Sequence, residues 1–215
     1  MEAAVRLAAR KGISDTRVSD IVGKVGVGQG VFYWYFESKE SLFREILTDT
    51  GARLRRFQGG FIAEEPDPVR RVALGILATL DFIAHNRHVF ALLDHDSVRS
   101  LRERDRGPET ERPHVVDTRK HLEAAIAQGL ARASDPDVLA VGVAGVVDRM
   151  ARSFLFGSDG GVDAVAQDAI DFCLGGVMGA RALDVADLRR DLVMTPRLTE
   201  LRDRVGAGLP VPTDG

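Results

Sequence analysis

The chain has 215 residues, 45% of them hydrophobic and 28% charged, with a net charge of −3. That composition fits a soluble globular protein and lies outside the polar, highly charged range in which chains stay disordered. The single cysteine, Cys173, excludes a disulfide framework and a multi-cysteine zinc site, and it suits a reducing cytoplasm.

The longest apolar run, 138–147, stops at Asp148-Arg149, well short of the roughly 18 residues that span a bilayer. The N-terminus has no cationic stretch leading into an apolar core, so no secretory signal is expected and the predicted location is cytoplasmic. Charge is uneven along the chain. Residues 1–57 hold 10 Lys and Arg against 7 Asp and Glu, whereas 58–215 hold 19 against 25. A basic head on an acidic body suggests that the head meets a polyanion.

The elements follow in chain order. Within 1–57 three short helices precede a longer one: Val18, Ile21, Val22 and Val25 carry the spacing of the second, and Gln29–Tyr35 forms the third after Gly26-Val27-Gly28. Leu42, Phe43, Ile46 and Leu47 follow Ser38, a good N-cap, and predict a fourth helix over 38–57. Gly59-Gly60 through Pro66 is read as a break. Asp67-Pro68 then opens a stripe from Val69 to Ala84. The charged segment 94–113 reads as a short helix plus a loop. Leu122, Ala125, Ile126 and Leu130 form a weaker stripe ending near Gly129. Two helices apolar on more than one face follow, at 138–156, capped by Ser134 or Asp135, and at 162–178. Residues after Gly206 read as a frayed tail. No strand pattern appears, and the fold class is all-α.

A glycine-containing turn of three residues between two short helices is the spacing of a helix-turn-helix. In such a unit the second helix enters the major groove of DNA. Phe32 and Phe36, one turn apart, are expected to face inward with Ile21 and Val25, and Val27 to plug the angle between the helices. That leaves Gln29, Gly30, Val31, Tyr33 and Trp34 outside. Gln29 can read adenine with two hydrogen bonds, and Val31 can touch a thymine methyl. Gly30 allows close backbone approach, and Tyr33 and Trp34 offer a hydroxyl and an indole N–H to phosphates.

The strings AARKG (8–12), Thr16, VSDIVGKVGVGQGVFYWYF (18–36) and SKESLF (38–43) resemble the N-terminal domain of the TetR (tetracycline-repressor) family of transcription regulators. The resemblance implies DNA contacts at Thr16, Arg17, Gln29, Gly30, Val31, Tyr33, Trp34, Tyr35 and Lys39, the last at a helix N-terminus that favours phosphate. It departs at Gly28, where a serine or threonine cap is usual, and at Gln29 and Val31, where lysine and threonine are common. Met1 falls inside the family's first helix, which implies either an upstream start or a missing basic arm.

The resemblance further implies a DNA-binding domain over 1–47, a ligand-binding and dimerisation domain over 48–205, and a tail over 206–215. It implies a homodimer through the helices at 138–156 and 162–178, whose glycines and alanines permit close approach; two buried core helices are the alternative. Phe82, Phe90, Met150, Phe154 and Phe156 are candidate linings of a ligand pocket, with plain core packing as the competing role. The function expected is a homodimeric repressor released from a palindromic operator by a small molecule. The rival is a helical binding module that has lost specific DNA affinity.

Enzyme signals are missing. GVGQG (26–30) lacks the third glycine of a dinucleotide loop and follows a helix instead of a strand. No Walker A, G-x-S-x-G or H-E-x-x-H string occurs. His85, His88, Asp94, His95 and Asp96 are too irregularly spaced for a metal site, and no cofactor is expected.

Overall fold

The computed structural model describes residues 1–92, 108–155 and 161–179, apart from the side chains of Ala91 and Glu109. The chain divides into units Met1–Gly179 and Ala180–Gly215. The described residues belong to the first, and the predicted tail lies outside them. They are helical throughout: α1 (Glu2–Asp15), α2 (Val18–Val25), α3 (Gln29–Tyr35), α4 (Lys39–Ile62), α5 (Pro68–His85), α6 (Arg87–Leu92), a 3-10 turn (Glu109–Glu111), α7 (Pro113–Ala127), α8 (Pro136–Met150) running into a π turn (Ala151–Leu155), and α9 (Val162–Met178).

Local chemistry sets most of these ends. Ser38 Oγ accepts the Ser41 N–H at 3.0 Å, and Ser41 Oγ accepts the Ser38 N–H at 3.1 Å, so α4 begins on a reciprocal cap. Asp67 and Asp135 each precede a proline at the first helical position and accept an amide of the following turn, at 2.8 Å from Val69 and 2.9 Å from Asp137. Proline has no N–H to orphan there, so these starts are doubly determined.

The expected break at Gly59-Gly60 does not occur: α4 runs through both glycines to Ile62. Each glycine costs a helix about 1 kcal/mol relative to alanine. Packing on α5 outweighs that cost. The Phe57 ring lies 5.0 Å from Phe61 and 5.8 Å from Phe82, and Gln58 Nε2 donates to Thr79 Oγ1 at 2.9 Å. The stripe on α7 ends at Ala127, with Gly129 at φ +69° just past it, and Leu130 lies beyond the helix and 43% exposed.

Two hydrophobic clusters organise the described residues. The head cluster gathers Ala4, Val5, Ala8 and Ile13 of α1, Ile21 and Val22 of α2, Phe32 of α3 and Leu42, Phe43 and Ile46 of α4. It also takes Val89 and Leu92 from α6, so an element from beyond α5 is built into the head core. The body cluster joins α5, α7, α8, the π turn and α9, with Leu80, Leu122 and Leu155 fully buried. Phe90 of α6 packs against both clusters.

Candidate nucleic-acid interface and ligand cavity

The head is a frame that holds α3 outward. At Gly26 the chain turns through φ +79°, a left-handed conformation that costs an L side chain but not glycine, and this ends α2. Gly12 makes a comparable break inside α1, at φ 82° and ψ 162°. Lys11 Nζ meets Asp20 at 2.5 Å and ties α1 to α2. Asp20 also accepts the Arg17 N–H at 3.3 Å, and the Lys11 hydrogen bond, then this one, hold its carboxyl below the usual aspartate range. Lys39 Nζ donates to the Ser14 carbonyl at 2.9 Å and pins the start of α4 to the end of α1.

On α3 the division of faces is sharp. Phe32 is 6% exposed in the head core and edge-on to Tyr33 at 5.3 Å, with the half-buried Phe36 ring at 5.5 Å. Gln29, Gly30, Val31, Tyr33, Trp34 and Tyr35 are all exposed, Trp34 at 79%. Such a row of exposed aromatics with polar tips is costly in water and useful against a partner with phosphates and stacked bases. Arg17 is exposed at the start of α2, and Lys39 is half-buried.

Three residues of the head depart from the sequence reading. Thr16 is fully buried, and its hydroxyl donates to the Gly12 carbonyl at 2.7 Å. Its side chain closes the break in α1 and offers no atom to a partner. Val25 is 55% exposed and Val27 41% exposed. Val25 sits in the last turn of α2, past the contacts that cover Ile21 and Val22, so its correct periodicity finds nothing to pack on. Val27 therefore does not plug the angle between the helices; Phe32 fills the core there.

The body holds a cavity of about 970 Å³ bounded by α4, α5, α6, α7 and α8. Val72, Ile76, Ile83, Phe90 and Val147 form apolar parts of its wall. Of the five candidate linings only Phe90 faces it among the described residues. Phe82 is buried among rings, 5.8 Å from Phe57 and 6.1 Å from Phe90, with the Arg53 guanidinium 5.9 Å over its face. Met150 is half-buried against the body cluster, Phe154 is 52% exposed, and Phe156 lies outside the described residues. Apolar periodicity marked helix faces but could not tell a wall from a core.

Sequence reasoning missed the polar lining. Arg71, Asp117, Lys120 and His121 all face the cavity, with Arg55 bridging α4 to Asp117 of α7 at 2.9 Å. Burial, and after it the Arg71 charge, holds the His121 imidazole below its ordinary range. Arg55 and Arg56 of α4 also line the cavity, two of the cationic residues that follow the apolar stripe of that helix in the sequence. Elsewhere in the body Cys173 is 5% exposed, and burial pushes its thiol up to about 11, the behaviour of an inert core cysteine.

A glycine-turned pair of short helices, braced by α1 and α4 and carrying an exposed polar-aromatic face, defines a helix-turn-helix head of the DNA-binding type. Residues 1–46 match the family described as bacterial regulatory proteins, tetR family. The chain is 33% identical over 91 residues to an uncharacterized HTH-type transcriptional regulator of Bacillus subtilis, YdgC, a match covering 40% of this chain and 47% of that one. It is 27% identical over 171 residues to the HTH-type transcriptional regulator TtgR of Pseudomonas putida, covering 72% and 78%. Its fold is that of the TetR family transcriptional regulator PfmR from Thermus thermophilus, at a TM-score of 0.66 and 24% identity over 81% of this chain and 96% of that one. Over residues 1–46 the chain thus carries a head of the tetR-family type, and the curated relatives it resembles are transcription regulators. It spans about half the length of the Bacillus relative. Among the described residues no helix is long and apolar enough to cross a membrane.

Proposed function

We propose that the chain is a homodimeric transcription repressor that reads a palindromic operator with α3 and is released by a small molecule bound in the body cavity. The observation that carries the reading is the face of α3, where every residue from Gln29 to Tyr35 except Phe32 is exposed on a buried frame. Gln29 and Val31 supply base-edge contacts, and Arg17, Tyr33, Trp34, Tyr35 and Lys39 supply phosphate contacts. Gly30 brings the backbone close. Thr16 acts from beneath by closing the α1 break.

The dimer face is supported by the outer sides of α8 and α9. Val138, Phe172 and Met178 are 62%, 68% and 56% exposed, and Gly142, Gly175 and Gly176 have no atom within 4 Å of a built Cβ. Large apolar groups beside bare glycines on two adjacent helices suit close helix packing with a second copy. Two heads would then meet half-sites about one helical turn of DNA apart, ~34–36 Å, or a multiple of it.

Coupling between cavity and head is supported by α6. Phe90 lines the cavity, while Val89 and Leu92 on the same short helix belong to the head core. A ligand that displaces Phe90 moves α6 and with it the head, provided it binds the two head arrangements with different affinity.

The test is fluorescence anisotropy on DNA from upstream of the protein's own gene, against a scrambled duplex of equal length, at several salt concentrations. Preference for the native duplex that persists as salt rises is the expected result. A folded dimer that binds neither duplex at any salt concentration would leave the binding-module reading in its place.

A further inference from the structure

We propose that the cavity takes an anionic effector, a carboxylate on an apolar body of drug size, with its head group at the corner formed by Arg71 of α5 and His121 of α7. This rests on the reading of the cavity as the effector site.

The lining is cationic in a chain that is acidic overall. Among the described residues six cationic side chains face the cavity, Arg55, Arg56, Arg71, Arg112, Lys120 and Arg152, against two carboxylates, Asp117 and Asp148. The whole chain has 29 Lys and Arg against 32 Asp and Glu, so the surplus in this space runs against the overall charge. Both carboxylates are already engaged. Asp117 meets Arg55 at 2.9 Å and Lys120 at 3.6 Å, and Asp148 meets Arg152 at 2.8 Å. A ligand cation would find no carboxylate to itself and a wall of like charge.

Arg71 is the best-placed anchor. Its Nε donates to the neutral Glu65 carbonyl at 2.5 Å, a bond that fixes the guanidinium without cancelling its charge. The Glu65 carboxylate is held by Arg70 at 2.8 Å. A guanidinium fixed at one nitrogen still presents donors in the fork geometry that matches a carboxylate. The half-buried His121 feels the Arg71 charge, and Asp117 and Lys120 of its own helix also act on it. An anion in this corner stands beside both groups.

The rest of the cavity fits an apolar body. Its 970 Å³ lies at the upper end of the ~300–1,000 Å³ range of small-molecule sites. Gly75 and Gly145, on α5 and α8, line it with no atom within 4 Å of a built Cβ, so both walls are open to a ring system.

The experiment uses the full chain without DNA and titrates three probes of one shape by calorimetry at pH 7: 2-naphthylacetate, 2-naphthylacetamide and 2-(2-naphthyl)ethylammonium. The carboxylate should bind at least tenfold more tightly than the amide, and the ammonium most weakly. Arg71→Gln should bring the carboxylate to the level of the amide and leave the amide unchanged. Gly75→Leu or, on α8, Gly145→Leu should abolish binding of all three in a protein that still unfolds cooperatively. The proposal is overturned if the ammonium or amide binds as tightly as the carboxylate, if the preference survives Arg71→Gln combined with His121→Gln, or if none of the three binds. Carboxylate binding that leaves a DNA complex intact would instead count against the repressor reading alone.

Discussion

Two aromatic residues two positions apart on α3 should separate folding from DNA binding. Trp34 is 79% exposed, so about a fifth of a side chain worth at most ~250 Å² is covered, or ~50 Å². At ~25 cal/mol per Å² its truncation to alanine costs about 1.3 kcal/mol of burial. The better helix propensity of alanine returns about 0.5 kcal/mol. The net loss for Trp34→Ala is therefore about 1 kcal/mol or less, and the domain stays folded. Phe32, 6% exposed in the head core, should cost about 3–5 kcal/mol when truncated, which is enough to unfold a marginal head. On an operator duplex, Trp34→Ala should bind about 10–100-fold more weakly, the range of an interface anchor worth about 1.4–2.8 kcal/mol. Urea denaturation and anisotropy, run on the same preparations, read the two quantities separately. Wild-type DNA affinity in a folded Trp34→Ala protein would refute the assignment of the outer α3 face. A stability loss near that of Phe32→Ala would refute the burial argument.

Lys39→Ala should weaken binding to all sequences alike and reduce the magnitude of the salt slope by about one, whereas Gln29→Ala should blunt discrimination at one base pair with the slope unchanged; anisotropy across a salt series separates them. Gly26→Ala places an L side chain at φ +79° and should lower stability by about 1–2 kcal/mol, seen as a fall in melting temperature, although no atom lies within 4 Å of the added Cβ. His121 gives a pH dependence of known sign. Its folded pKa is lowered, so its contribution to stability is fully present above the unfolded value of about 6.5 and is lost as pH falls through the folded value. Melting temperatures from about pH 7.5 to 5 should therefore fall more for the wild type than for His121→Gln, and an NMR titration placing the imidazole above 6.5 would refute the sign.

The helices, the glycine turn and the outward face of α3 were legible in the chain because local rules fix them. A left-handed glycine, a serine or aspartate cap before a periodic stripe, and a helical period of about 3.6 residues need no distant partner to be read. The family resemblance rests on the same short-range features. Tertiary structure decided what periodicity cannot encode, namely which neighbour, if any, stands opposite a given face. Val25 has the right spacing and stays exposed, while Thr16 looks like a surface hydroxyl and is sealed against Gly12. The glycines at 59 and 60 carry the local cost of a break, yet Phe57, Phe61 and Phe82 keep the helix whole. The cavity is the clearest case. Its apolar wall and its cationic lining come from five helices, and the charge surplus exists only once Arg55, Arg56, Arg71, Arg112, Lys120 and Arg152 are folded into one space.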